Sequence, residues 1–470
     1  MTPASRVRSQ ETAVTVYNLA SLRHWREYRR VQPRPALRTI DMINSEFLNN
    51  PYPAYQALRE AGPLHWNEEF CGGAWLFTGY ADVAAVLRDP RFSVKRAGSW
   101  ANSSGPEAMN ELREFKRIFA RSLLFVDAPQ HTRLRQVMNA GFKPSALQTL
   151  APQIQALVDR LLDDITAKAD VSGDVFDFMR AFARPLPALV IAAMLGIDGA
   201  DRAEFVDWSD DIAAFIGSPT PTIEIARRAQ SGLMAMNDYF RGLLQQRRAS
   251  ALGGADDLVS QLIAAEAAGG IITTNELLAQ CCTLLFAGHE TTRNLLGNGM
   301  LALLRHPAQW QALQQDAALM PSALKELLRY DSPVQYTGRR LKTDVDMHGK
   351  TMKKGDLVIP LIGAANRDPA KFSDPDTLDL QRNQGAHLSF GYGPHVCIGA
   401  TLTYMEADIA FRSVMRRLPQ LALADADAGR SWGGNAVYRA LDALPLRFAP
   451  AAPSSTPLST QASAEDALNA

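Results

Sequence analysis

Cys397 stands in the run HLSFGYGPHVCIGA, residues 387–400, with Gly391, Gly393 and Gly399 all within six residues of it. Glycine opens backbone angles closed to other residues and lets another group approach the main chain. Something flat or bulky is expected to rest there, with the sulfur pointing at it. The run that leaves the loop, CIGATLTYMEADIAFRSVMRRL, has a helical pattern and puts Cys397 near a helix start. Unpaired amide groups and the positive end of the helix dipole favour a thiolate there. One thiolate without partner cysteines suits a haem iron better than zinc or an iron–sulfur cluster. A zinc site made of His387, His395 and Cys397 would lack a fourth ligand. Taken alone, an ordinary buried cysteine is the commoner reading; the glycines and the motifs below weigh against it.

AGHETT, residues 287–292, lies midway along TTNELLAQCCTLLFAGHETTRNLLGNGMLALLRH. Thr273 and Glu276 form a capping box and Pro307 ends the segment, so one helix of about 50 Å is expected. Apolar residues lie nearly all round it, as in a helix buried through a domain. Its polar residues (Gln280, His289, Glu290, Arg293, Asn294) argue against a membrane span. Ala287 and Gly288 leave room for a plate and a diatomic molecule. Glu290 beside Thr291 supplies an acid next to a hydroxyl, the parts needed to deliver protons. A glycine-weakened helix with a polar patch is the plainer alternative.

Two further patterns place charges. Glu326 and Arg329 in KELLRY share a helical face, which on spacing alone reads as a surface ion pair. His131 and Arg135 in HTRLRQVMNAGF lie one helical turn apart, where arginine could fork to a carboxylate. A solvated basic helix is the other reading.

FGYGPHVCIG, residues 390–399, matches Phe-Gly-x-Gly-x-His-x-Cys-x-Gly in full. It resembles the haem-binding signature of the cytochrome P-450 superfamily of haem-thiolate monooxygenases, in its soluble bacterial form. The likeness extends over residues 41–450, including PAYQALREAGPLHW and AANRDPAKFSDPD. It implies a mainly α fold with a minor β lobe around haem b (iron protoporphyrin IX). By resemblance Cys397 is the axial ligand, Phe390 covers its sulfur, Gly391 shapes the loop and Gly399 lets the next helix lie against the porphyrin. His395, His131, Arg135 and Arg339 (with Arg340 adjacent) are expected at the haem carboxylates. Ala287 and Gly288 border the haem, and Glu290 and Thr291 are the acid–alcohol pair serving dioxygen. Glu326, Arg329 and Arg382 form a buried structural network. The substrate pocket should draw on the 95–125 region, Leu285, Ala287, Val334–Thr337 and Val437. Tyr404 departs from the pattern, since family members often carry arginine there.

Composition agrees with this reading. The chain has 470 residues, 47% hydrophobic and 21% charged, with zero formal net charge, which gives no ground for nucleic-acid binding. The first forty residues hold eight arginines against Glu11 and Glu27, a net +6, and read as a basic arm. Residues 451–470 are small and polar and read as a disordered tail. Only four cysteines and no disulfide framework fit the cytoplasm. Strand-like runs are short: AWLFT at 74–78, and TDVDM with LVIPL around a Gly-Lys turn at 343–361.

The resemblance implies insertion of one oxygen atom from O2 into a small organic substrate, by hydroxylation or epoxidation. Tailoring of a secondary metabolite such as a polyketide, free or bound to a carrier protein, ranks first. A peroxide-driven peroxygenase and a non-enzymatic haem sensor or carrier are the rivals. The chain is expected to act as a monomer. It shows no Gly-x-Gly-x-x-Gly between a strand and a helix, and too few cysteines remain for a cluster. Electrons should therefore come from a separate ferredoxin or flavodoxin with its NAD(P)H reductase, docking near Arg133, Arg412 and Arg416. Purified protein given NADPH, O2 and substrate is expected to make product only after both redox partners are added. Steady turnover without them would reveal a redox module in the chain itself.

Overall fold

The structure is a computed structural model describing residues 42, 44–96, 111–172, 175–197, 202–218, 221–249, 257–267, 273–425, 432–433 and 435–448. The chain divides into two compact units, Met1–Thr39 and Ile40–Ala470, and everything below concerns the second. The basic arm, the polar tail and residues 97–110 of the expected pocket lie outside the described residues.

Helices build most of this unit. The central one, Thr274–Arg305, begins at the expected capping box: the Thr273 side chain accepts from the Glu276 amide, and Glu276 accepts from the Thr273 amide at 3.0 Å. Its C-cap is His306, and Pro307 opens the next helix, Pro307–Gln315. It is buried nearly along its length and touches helices Pro185–Met194, Arg202–Gly217, Ile223–Ala249, Met320–Tyr330 and Ala400–Arg417. These neighbours supply apolar stripes at helical spacing. In Ile223–Ala249 the stripe is Ala226, Ala229, Leu233, Met236, Phe240 and Leu244.

The β lobe is small. Strands β1 (Leu64–Asn67), β2 (Ala74–Phe77), β3 (Phe92–Ser93), β5 (Arg339–Leu341) and β8 (Leu357–Pro360) form one sheet in the order β1-β2-β8-β5-β3. A second sheet joins β4 (Val175–Asp177), β10 (Pro445–Arg447) and β9 (Ala422–Leu423). The hairpin expected from TDVDM and LVIPL is different. Strand β6 (Val345–Met347) pairs with β7 (Lys350–Met352), while the LVIP segment runs parallel to β2 in the larger sheet. The turn is His348-Gly349, with φ of 51° and 69°. Positive φ at both central residues is what a type I′ hairpin turn requires, and between β6 and β7 this dipeptide supplies it.

A buried charge network holds the segment that leads to the cysteine loop. Arg329 donates to both Glu326 oxygens at 2.7 and 2.8 Å, and Arg382 donates to Oε1 at 3.1 Å. Arg329 also reaches the carbonyls of Asn366, Pro375 and Thr377. Asn366 continues the bracing, donating to Ser389 Oγ at 2.9 Å and accepting from the Leu388 amide at 2.7 Å. The pair is thus internal and not the surface bridge its spacing alone suggests. Removing one partner of a buried pair typically costs about 3–5 kcal/mol. Arg329→Met should lower stability by about that much in urea unfolding, whereas exposed Lys325→Met should stay within about 0.5 kcal/mol. Equal stability of the two variants would contradict the network's role.

Candidate active site

The cysteine loop is shaped by its glycines. Gly391 and Gly393 have φ of 75° and 78°, and a Cβ on Gly393 would approach Arg88 Cα to 3.0 Å. The Cys397 amide donates to the Phe390 carbonyl at 2.8 Å, closing the loop on itself. Gly399 is the N-cap of helix Ala400–Arg417, and a Cβ there would have only Cys397 Sγ and Phe142 nearby, at 3.9 Å. Cys397 is exposed, unlike buried Cys281 and Cys282. The protein crowding the accessible thiol nevertheless raises its pKa, against the Gly399 amide and the Arg135 charge.

The Phe390 ring is flanked by His387 at 5.6 Å and by Tyr404, edge-on, at 5.3 Å. The Ser389 amide donates to His387 Nδ1 at 3.1 Å, so Nε2 carries the hydrogen and donates to Tyr404 Oη, also at 3.1 Å. Burial, then Arg329 and Lys325, hold His387 down at about 4, so it is neutral. Tyr404 thus braces this loop where the family often has an arginine.

On one side of Cys397 cations gather. The rings of His131 and His395 lie 3.9 Å apart, and buried His131 Nε2 has no hydrogen-bond partner. Burial, then His131 and Arg339, push His395 down to about 3. Buried Arg339 donates to the Gly338 carbonyl at 2.8 Å and is lowered to about 9 by burial and then by Arg96. Arg135 donates to the Val396 carbonyl at 2.6 Å, clamping the cysteine loop. Arg96 completes the group, donating to the Gly338 carbonyl at 2.9 Å and Thr337 Oγ1 at 3.0 Å. The nearby anion Asp127 is already held by Ser93, the Val94 amide and Lys342. Among the described residues Arg339, Arg135 and Arg96 gather here with two neutral imidazoles as further donors, and the two carboxylates of haem b fit such a donor set. Arg96 was not singled out from sequence; pairing of β3 with β5 brings it beside Arg339, and no local pattern marks it.

The central helix carries the second half of the site. Thr291 Oγ1 donates to the Ala287 carbonyl at 3.1 Å, leaving its own lone pairs for another donor. Glu290 is 2% exposed; Arg293 and Asn294 donate to its Oε1 at 2.7 and 3.2 Å. Its buried Oε2 has no partner, and burial raises its pKa against the pull of Arg293. Arg293 also binds Asp210 at 3.1 Å, and Asp210 binds Arg184 at 2.6 Å, so Glu290 ends a charged chain. Asp210, His289 and Glu290 converge, but the two arginines already neutralise both carboxylates.

On its Cβ side Gly288 meets Ile191 of helix Pro185–Met194, which a Cβ would approach to 3.2 Å, so there the glycine lets two helices pack closely. The expected pocket stretch is corrected. Gln335 accepts from Tyr55 at 3.1 Å and Tyr336 packs edge-on to Phe70, so both face the β-lobe core and not a pocket. Of the expected docking arginines, Arg133 is paired with Glu276 and Arg412 with Asp408, while Arg416 lies 3.5 Å from Ser413 Oγ.

The cytochrome P450 family profile matches residues 101–422. The chain is 37% identical to the cytochrome P450 monooxygenase PikC of Streptomyces venezuelae over 88% of its own length and 95% of that protein. It is 34% identical to the polyketide biosynthesis cytochrome P450 PksS of Bacillus subtilis, over 85% of this chain and 96% of that one. Among solved structures, P450BioI in complex with an acyl carrier protein ligated to hexadec-9Z-enoic acid superposes with a TM-score of 0.78 at 34% identity, covering 86% of this chain and 99% of that chain. With an exposed cysteine in a full signature loop, a cation cluster suited to the haem carboxylates and this extent of similarity, the chain belongs to the cytochrome P450 family of haem-thiolate monooxygenases.

Proposed function

We propose that this enzyme tailors an apolar secondary metabolite, of polyketide or acyl type, by hydroxylation or epoxidation with one oxygen atom of O2. The observation that supports it most is the pairing of a protonatable buried Glu290 with the Thr291 hydroxyl on one turn of the central helix. Similarity to PksS and to the acyl-carrier complex of P450BioI supports the substrate class. Cys397 would hold haem b, with Arg96, Arg339, His131, His395 and Arg135 for its carboxylates, and the group would supply the iron centre for activating dioxygen.

The residues of the chain do the rest. Cys397 would hold the iron through its sulfur, and Phe390, flanked by His387 and Tyr404, would shield that sulfur. Thr291 holds a hydroxyl proton on the central helix, back-bonded to the Ala287 carbonyl. Glu290, held in place by Arg293 and Asn294, is the acid that replenishes it. Electrons come from a separate ferredoxin or flavodoxin with its reductase. No described helix is long and apolar enough to cross a membrane; we place the enzyme in the cytoplasm, acting as a monomer.

Reconstitution of the haem-loaded chain with a ferredoxin, its reductase, NADPH and isotopically labelled dioxygen tests the reaction type. One labelled oxygen atom per product molecule is expected, and product formed only with added peroxide would overturn the reading. Thr291→Ala should bind substrate as before but divert most reducing equivalents to peroxide. Glu290→Gln should slow turnover by about a hundredfold, the usual range for losing a general acid. Wild-type ratios of product to NADPH in Thr291→Ala would contradict the proton role.

A further inference from the structure

Tyr438 is a polar group that the proposed mechanism does not use. The segment carrying it is pinned from several sides: Val334 and Tyr438 form a β-bridge, and the Asn435 side chain accepts from the Val437 and Tyr438 amides at 3.0 and 2.9 Å. The next residue is tied to the central helix, where Asn298 Nδ2 donates to the Arg439 carbonyl at 2.8 Å. From there the Tyr438 side chain reaches back along the helix, its ring edge-on to Phe286 at 6.2 Å. Phe286, Glu290, Asn294 and Asn298 recur every fourth residue and share one helical face. The tyrosine therefore lies over the face that carries Glu290, one residue from Thr291.

Its hydroxyl is out of place in an apolar setting. Tyr438 is 9% exposed and sits among Phe286, Val334 and Val437, all members of the large apolar cluster or packed on it. Among the described residues its hydroxyl has no hydrogen-bond partner, and it is not one of the sealed-off unpaired polar atoms, so a ligand could reach it. Burial raises its pKa, Glu290 raises it further and Arg96 opposes, so the phenol is a firm donor between the helix and the cation cluster.

We propose that Tyr438 is a specificity-determining residue whose hydroxyl donates a hydrogen bond to a carbonyl oxygen of the substrate. The enzyme then selects apolar molecules that carry a ketone, lactone, ester or thioester over bare hydrocarbons of equal size. This rests on the reading of the space beside Thr291 as the substrate pocket. The hydroxyl fixes which carbon faces the reacting centre, because an apolar pocket alone leaves a molecule free to turn.

The test uses the haem-loaded full chain and three matched probe pairs: cyclooctanone, cyclododecanone and cyclopentadecanone, each with its parent cycloalkane. Dissociation constants come from the substrate-induced shift of the ferric Soret band. The wild type should prefer the best-fitting ketone to its hydrocarbon by about five- to tenfold, the size of one hydrogen bond. Tyr438→Phe should erase that preference and leave the hydrocarbon constant unchanged. An unchanged preference in Tyr438→Phe, equal weakening of both members, or a wild type that responds to no pair overturns the inference. Loss of oxygenation, with the ketone preference intact in the wild type and erased in Tyr438→Phe, would instead count against the proposed reaction.

Discussion

Glu326 is a carboxylate withdrawn from water between Arg329 and Arg382, and the site depends on its being satisfied there. A charge buried in this way is stable only when its lone pairs are filled by well-placed donors. Here the donors are themselves anchored to backbone carbonyls at Asn366, Pro375 and Thr377. One helix, Met320–Tyr330, is thereby fastened to a stretch with little regular structure of its own. Asn366 carries the constraint onward to Leu388 and Ser389, where the cysteine loop begins. A loop that must present one sulfur in a fixed direction gains its rigidity from this frame, since few of its own residues are buried.

The two sides of the site use electrostatics in opposite ways. Around Cys397 and the His131–His395 pair, Arg96, Arg135 and Arg339 gather, a donor set suited to a ligand with carboxylates of its own. Along the central helix the charges alternate: Glu290, Arg293, Asp210 and Arg184 nearly cancel, and the chain leads from a buried acid to a half-exposed arginine. The first arrangement binds, and the second holds the buried acid without leaving an isolated charge in the interior.

Much of this was legible in the sequence because it is written in short segments. The capping box at Thr273 and the proline at 307 bounded the central helix to within a residue, and the glycine–cysteine signature is contiguous. The Glu326–Arg329–Arg382 network came through resemblance, since an i, i+3 pair looks the same on a surface as inside. What stayed hidden depends on contacts between distant segments. Arg96 joins the cation cluster only through a strand pairing, and Glu290 finds Arg184 and Asp210 across other helices. Tyr404 was visible as a departure, but its bond to His387 was not. The close packing of Gly288 on Ile191 was hidden as well, since a glycine in a sequence does not say which helix it lies against.

The central claim is that Cys397 alone ligates the haem iron. Its most direct test is the absorption spectrum of the reduced, carbon-monoxide-bound protein for wild type, Cys397→Ala, Cys281→Ala and Cys282→Ala. The account predicts a thiolate-type Soret band in all but Cys397→Ala. A thiolate-type band that persists in Cys397→Ala would contradict it.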